Sequence, residues 1–231
     1  PLVLRDANGL VHKALEMNIA WRKTALTSPV RVSRQILGPF ASFESAEKIS
    51  KFLKNQGIDS HIAHPSDWEV WINKSIKLPK KFDARIFEKE YMFEINPILI
   101  GNFGEIRLQG PLSIQAIDGL NWDGGIYRGP FSIRPDAYGS WTFVEHVPLE
   151  RYLNGVVPYE IGSASPFEAL SAQAVLARTW ALANSHRFEV DGYHLCSDTQ
   201  CQVYRDPAKA DLKVKDAIKK TKGKILTWQG R

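Results

Sequence analysis

Long hydrophobic runs are missing from this sequence. A helix that crosses a bilayer needs about 20 consecutive apolar residues, and the longest candidate, Val175 to Ala183, is interrupted by Arg178. No transmembrane segment is therefore expected in these residues. The chain begins at Pro1 rather than Met, so the lack of a leader or anchor excludes neither a secreted nor an anchored protein. Cysteine is scarce: Cys196 and Cys201 are too few for a disulfide framework or for assigning a redox compartment. Internal repeats and low-complexity tracts are lacking, which argues against a solenoid and against compositional disorder. Charge is not one-sided either, with a net of +5 that only weakly favours anionic partners. The most basic stretch, Lys209 to Lys224, has Ala210, Val214, Ala217, Ile218 and Thr221 as a buried stripe and no interleaved aromatics. It reads as the solvated face of a helix, and no nucleic-acid partner is expected. What the chain does have is 44% hydrophobic residues, enough for one large domain or two modest ones without a metal or disulfide framework.

Turn signals and apolar spacing divide it. Short apolar runs around Asn8-Gly9 predict a β-hairpin in residues 1–29. Arg31 to Gly38 reads as a strand and Ser42 to Gln56 as a helix, with Ala46, Ile49, Phe52 and Leu53 on one face and Gly57 at the cap. A strand pair follows near His61 to His64 and Trp68 to Ile72. Residues 76–94, lysine-rich and holding Pro79, read as a linker. From Tyr91 to Val147, glycine-punctuated runs predict antiparallel sheet. Helices are then expected at Pro148 to Gly155, at Ser165 to about Phe188 and from about Pro207 to Lys222, with a strand at Lys224 to Trp228. Ser165, Pro166 and Glu168 spell a capping box for the long helix.

The long helix is apolar almost all round and should be largely buried, so the guanidinium of Arg178 needs a partner. That partner is either a carboxylate in a structural ion pair or the lining of a cleft, and the residues alone leave both open. Ser171, seven residues earlier, shares its face. Glu160 sits in Val156-Val157-Pro158-Tyr159-Glu160-Ile161-Gly162, read as a connector because its Pro and Gly block a helix. Apolar neighbours would leave its carboxylate poorly solvated and protonated, as a general acid requires. The plainer alternatives are a solvent-facing loop glutamate, or a charge favoured by the dipole of the next helix.

Three segments carry a family resemblance: Val147-Pro148-Leu149-Glu150-Arg151-Tyr152-Leu153-Asn154-Gly155-Val156-Val157-Pro158-Tyr159-Glu160, then Pro166 to Ala183, then Cys201-Gln202-Val203-Tyr204. With Tyr127-Arg128-Gly129-Pro130 upstream and Ala217 to Gly230 downstream, residues 95–231 resemble the SpoIID family of cell-wall enzymes, the stage II sporulation protein D type. The resemblance implies a bacterial, extracytoplasmic lytic transglycosylase. Such an enzyme cuts peptidoglycan glycan between N-acetylmuramic acid and N-acetylglucosamine and leaves a 1,6-anhydro end. Glu160 matches the family's catalytic glutamate. A two-carboxylate hydrolase needs a second Asp or Glu. In transglycosylation the sugar's own C6 hydroxyl attacks, so one glutamate serves as acid and then base.

The resemblance further implies Arg178 as electrostatic support for Glu160 or a sugar oxygen, and Ser171, Gln173, Asp198 and Tyr204 as substrate contacts. Ser171 departs from the lysine many members carry, which keeps a non-catalytic wall-binding or amidase-enhancing protein as the alternative, with a cell-wall amidase as partner. No cofactor is required. His194, Cys196 and Cys201 offer three zinc ligands where a closed site needs four, so a Cys196–Cys201 disulfide is favoured, ahead of free thiols and then of zinc. The family continues past the position of Arg231, so the chain is expected to be a piece of a longer protein. Residues 30–75, through Gly38-Pro39-Phe40, Ser42, Ala46, Leu53 and Gly57-Ile58, more loosely resemble a SPOR module, which binds glycan stripped of stem peptides. The expected fold is α+β: a SPOR-like βαβ module, a β-rich region and a helical SpoIID-type catalytic region.

Overall fold

The computed structural model describes residues 1–229. Strands β1 (Leu2–Arg5) and β2 (Val11–Ala14) form the expected hairpin. Asp6 closes its loop by accepting the N–H groups of Asn8 and Leu10 at 3.0 and 2.8 Å. Next come β3 (Asn18–Phe40), α1 (Phe43–Asn55), β4 (His61–Ala63), β5 (Trp68–Asn73), β6 (Arg85–Gly101) and β7 (Gly104–Arg107). They build a sheet of order β4-β5-β3-β6-β7. Helix α1 forms where its sequence says: the Ser42 hydroxyl accepts the Ser45 N–H, Phe43, Ala46, Ser50 and Leu53 are buried on one face, and Gly57 takes φ +74 just past the end. Both β3 and β4 pair antiparallel with β5 between them, so β3, α1 and β4 make a split β-α-β unit.

The segment expected as a linker, 76–94, is irregular only as far as residue 84. From Arg85 it is strand, and β6 pairs with β3 from Ile36↔Arg85 to Asn18↔Ile100 across a bulge between Ala25 and Val30. The two halves of the chain are thus joined by a hydrogen-bonded ribbon.

Strands β8 (Leu112–Ala116), β9 (Leu120–Trp122), β10 (Gly125–Tyr127), β11 (Phe131–Pro135) and β12 (Trp141–Glu145) follow. The N-terminal hairpin completes their sheet, whose order is β12-β11-β8-β1-β2, while β9 and β10 pair apart. In β8 the side chains alternate buried and exposed, the signature of a sheet with one face on a core.

Helices α2 (Leu149–Asn154), α3 (Val157–Ile161), α4 (Phe167–Ala183) and α5 (Leu212–Lys220) close the chain around Leu153, Val156, Leu170, Ala174, Ala177 and Val214. Four expectations change here. Helix α4 buries one face rather than all of its surface, with Leu176 and Leu182 about half exposed, because its small alanines are what α2 and α5 pack against. Its capping box does not form. The Ser165 N–H is taken by the Gly162 carbonyl and its hydroxyl donates to the Ile161 carbonyl at 2.6 Å, leaving Glu168 nothing to cap. Helix α5 starts at Leu212, where Asp211 caps the Val214 N–H, and Pro207–Lys209 is a separate 3-10 turn. Lys224 to Trp228 is not a strand; it is held instead by the Lys224 carbonyl on Arg178 and the Leu226 N–H on the Thr179 hydroxyl.

The α1 sheet packs against the loop after α4. Trp68 meets Phe188 at 5.4 Å, Phe43 meets His186 at 5.3 Å, and Glu47 and Glu44 pair with His186 and Arg187.

Candidate active site

Val156 and Val157 are fully buried, while Tyr159 and Glu160 at the other end of the same single turn are exposed. The motif therefore anchors one end in the core and presents its carboxylate outside. This corrects two expectations: Glu160 lies on a short helix, α3, and its side chain is not poorly solvated. One Glu160 oxygen accepts the Val203 N–H at 2.9 Å. A backbone donor thus orients the carboxylate, and its other oxygen has no hydrogen-bond partner among the described residues.

Val203 is positioned by its neighbours. The Tyr204 N–H donates to the Ser197 carbonyl at 3.1 Å and the Arg205 N–H to the Gly155 carbonyl at 2.9 Å. Tyr204 is buried, stacks on Tyr152 at 5.1 Å and donates its phenol to Glu145 at 2.7 Å. Burial, reinforced by the Glu145 carboxylate, pushes the Tyr204 hydroxyl well above the usual tyrosine range. Tyr152 is pushed the same way, first by burial and then by the Glu160 charge, and donates to Gln202 at 3.2 Å. Both phenols stay neutral hydrogen-bond donors at ordinary pH. Glu145 also accepts from Arg151 at 2.9 Å and from the Arg128 and Gly129 N–H groups at 3.2 and 3.1 Å.

The glycine in Asn154-Gly155-Val156 now has a physical reason. A Cβ on Gly155 would sit 2.4 Å from the Tyr204 ring and 2.5 Å from the Arg205 carbonyl oxygen. Gly155→Ala should cost about 3 kcal/mol, the upper end of overpacking costs, and a melting curve checks it. A change below about 1 kcal/mol would mean that the 202–206 segment yields without loss.

Arg178 is 1% exposed in its side chain and donates two bonds to Glu150, at 2.8 and 2.9 Å. Its remaining donors reach the Ala174 and Lys224 carbonyls at 3.3 and 2.9 Å. It is the structural ion pair of the two readings. It makes no hydrogen bond to Glu160; its bonds tie α2 and the Lys224 backbone to α4.

A cleft of about 950 Å³ opens beside this framework. Its floor includes Tyr127, Tyr152 and Tyr204, and its walls include Trp122, Tyr193 and Leu182. Glu160 is not among its lining residues; it accepts the N–H of Val203, whose neighbours Tyr204 and Arg205 line the cleft.

The comparisons with known proteins point one way. Residues 137–228 match the model of the SpoIID family, described as Stage II sporulation protein. This stretch of the chain is similar to the SpoIID family. An uncharacterized protein of Brachyspira hyodysenteriae is 33% identical over 120 residues, covering 49% of this chain and 31% of that protein. Stage II sporulation protein D of Bacillus subtilis is 37% identical over 105 residues, and that of Bacillus amyloliquefaciens 38% over 104. Each of these two matches covers 38% of this chain and 30% of the relative. The chain thus spans about a third of the length of the curated relatives it matches. No solved structure matches it.

The SpoIID stretch holds every candidate site residue, but the structure does not bring them all together. Tyr204 is in the cleft floor, and Asp198 and His194 are exposed at its rim, Asp198 accepting the Gln200 N–H at 2.9 Å. Among the described residues, Gln173, half-buried on α4, makes no side-chain hydrogen bond and the buried Ser171 hydroxyl has no partner. Cys196 and Cys201 form a disulfide, with Cα atoms 5.8 Å apart. In that state neither sulfur is a thiolate, and His194 alone remains of the three zinc donors. Replacing both cysteines by serine should cost about 2 kcal/mol for so short a loop. Alkylation followed by mass measurement, with and without reductant, counts the free thiols.

Sequence reasoning missed Glu145, Glu150, Gly155 and Val203. A Glu145 in a strand that alternates with Val144 looks solvent-facing, and a backbone N–H leaves no trace in a sequence. Glu150 was open to detection, since it sits inside the motif run with Arg178 in want of a carboxylate.

Proposed function

We propose that this protein acts on the bacterial cell wall outside the cytoplasm, as a lytic transglycosylase on peptidoglycan glycan strands with Glu160 as acid and then base. The observation that carries the reading is Glu160 itself: exposed at the end of the Val-Val-Pro-Tyr-Glu turn, with one oxygen fixed by the Val203 N–H. The match of residues 137–228 to the SpoIID family model and the relatives called Stage II sporulation protein D support it. No helix among the described residues is long and apolar enough to cross a membrane, which is compatible with that location.

In the reaction the protonated Glu160 gives its proton to the glycosidic oxygen as the bond from C1 of N-acetylmuramic acid breaks. The resulting carboxylate takes the proton of the C6 hydroxyl as that oxygen bonds to C1. The products are a free N-acetylglucosamine 4-hydroxyl and a 1,6-anhydromuramoyl end, and Glu160 is again protonated. Arg178 and Glu150 position the framework and touch neither sugar. No cofactor enters this scheme. The α1 sheet serves in it as a glycan-binding module that raises local substrate concentration.

The test is incubation of purified peptidoglycan, intact and stripped of stem peptides, followed by analysis of the new ends. Anhydromuramoyl ends support the proposal. Binding without new ends points instead to a wall-binding or amidase-enhancing protein, the reading that Ser171 in place of a lysine keeps in view.

A further inference from the structure

The β3–β6 ribbon carries its charges unevenly. Side chains alternate between the two faces of a strand pair, and the register puts Trp21, Lys23, Val30, Lys89, Phe93 and Ile95 on one face. Every carboxylate of β6, namely Glu88, Glu90 and Glu94, falls on the other. There the charges are matched: Glu88 pairs with Lys74, Glu90 with Arg31 at 3.8 Å and Glu94 with Arg107 at 2.8 Å. On the first face they are not. Strand β3 contains no acidic residue, and among the described residues Lys23 and Lys89 have no ion-pair partner. Each ammonium sits instead over a ring, Lys23 at 4.3 Å from the centroid of Phe93 and Lys89 at 4.6 Å from that of Tyr91.

The apolar side chains of this face stay in water. Trp21, Val30 and Phe93 are close to half exposed and Ile95 somewhat less. Trp21 is held by its stack on Trp141 at 5.6 Å, and the Trp141 indole N–H donates to the Ile95 carbonyl at 2.7 Å. This stretch lies beyond the part of β3 that pairs with β5, and only its far end is covered, where Gly139 abuts the Tyr91 ring. Three kinds of occupant fit it unequally. A second copy of the chain would bring lysine onto lysine with no carboxylate between. A soluble polyanion would satisfy the two ammonium groups and leave the indole, the phenyl ring and the aliphatic side chains hydrated. An anionic bilayer surface meets both demands, because aromatic rings rest at headgroup level while lysines lay their stems along apolar surface and put their charge on the phosphates.

We propose that this face of the ribbon docks on an anionic phospholipid bilayer, with Lys23 and Lys89 at the headgroup phosphates and Trp21, Val30 and Phe93 in the interface. It is a seat on the surface and not a span, since the apolar side chains share one face with lysines. The inference goes beyond the glycan-cleaving reading and does not depend on it, because the ribbon lies outside residues 137–228, the stretch similar to the SpoIID family.

The experiment is co-sedimentation of the full chain with vesicles of mixed phosphatidylcholine and phosphatidylglycerol, beside vesicles of phosphatidylcholine alone. The parent protein should sediment with the mixed vesicles and far less with the neutral ones. The double variant Lys23→Gln, Lys89→Gln should bind about 25-fold more weakly, about fivefold for each lysine at an anionic surface, and Phe93→Ser about tenfold more weakly. All three side chains are exposed, so the melting curves should not move. The double variant Lys215→Gln, Lys219→Gln removes the same charge from the exposed side of α5 and should bind like the parent. Equal weakening by the two lysine pairs overturns the proposal, since binding then follows net charge rather than the ribbon. Failure of the parent to bind the mixed vesicles overturns it too. So does binding of soluble polyphosphate that needs Lys23 and Lys89 in a protein whose vesicle binding ignores Phe93, because the face then serves a phosphate polymer.

Discussion

Glu160→Gln is expected to reduce glycan cleavage by about 10²- to 10⁴-fold, the usual worth of a positioned general acid and base, while leaving the melting temperature unchanged. Glutamine keeps the side-chain oxygen that accepts the Val203 N–H, so the local hydrogen bond survives. It can neither lose a proton to the glycosidic oxygen nor take one from the C6 hydroxyl. Because Glu160 is exposed, the substitution leaves no unpaired group in the core. A loss of activity matched by a loss of fold would mean that the glutamate is structural. Full activity in the glutamine variant would remove Glu160 from the chemistry altogether.

Glu150→Ala should have the largest effect on stability of any side-chain truncation outside the apolar core. It strips both carboxylate bonds from a guanidinium that is 1% exposed and leaves it with the Ala174 and Lys224 carbonyls. Removing one partner of a buried pair costs roughly 3–5 kcal/mol. Glu150 is itself a third exposed, so the lower end applies, about 3 kcal/mol or a fall of roughly 6–12 °C in Tm for a chain of this size. Replacing Arg178 as well, by methionine, should recover part of the loss, because an apolar side chain then fills the space without a stranded charge. A fall of under 1 °C would show that the pair contributes no more than a surface ion pair.

The same pair gives the protein an acid-sensitive component. Hydrogen bonds from Arg178 hold the Glu150 carboxyl below the usual carboxylate range. A carboxyl whose pKa is depressed by folding adds stability above its unfolded value, about 4.3, and that stability fades as pH falls through the folded value. The advantage of the parent protein over Glu150→Gln should therefore be steady from neutral pH down to about 4 and shrink below it. Melting temperatures of both proteins from pH 7 to pH 3 check the sign.

What was legible in the sequence follows from the range over which its physics acts. Helix α1 was readable because Ser42, the apolar spacing and Gly57 all act within one element. The change from strands to helices near Pro148 was local in the same way, whereas Glu160 stood out only through the family resemblance, its apolar neighbours having suggested a buried carboxylate that the structure places in solvent. The β3–β6 ribbon was not. Its middle carries Arg22, Lys23 and Arg31 opposite Asn96, Ile95 and Glu90, so no apolar alternation marks it, and cross-strand backbone bonds hold it together. The Ser165 box matched the pattern and failed because α3 ends four residues earlier, leaving the Ile161 carbonyl for the Ser165 hydroxyl. Glu150 and Arg178 are 28 residues apart, so the sequence offers Glu150 as one candidate carboxylate for Arg178 and the packing of α2 on α4 selects it. Gly155 falls in the same class, since the side chain it excludes would strike residues almost fifty positions away.

The measurement that bears most directly on the central claim is digestion of purified glycan strands in water enriched in heavy oxygen, with mass analysis of the new muramoyl ends. Intramolecular attack by the C6 hydroxyl predicts anhydro ends that carry no heavy oxygen and disappear in the Glu160→Gln protein. Reducing ends labelled with heavy oxygen would show that water is the nucleophile and that a second carboxylate, rather than the sugar itself, completes the reaction.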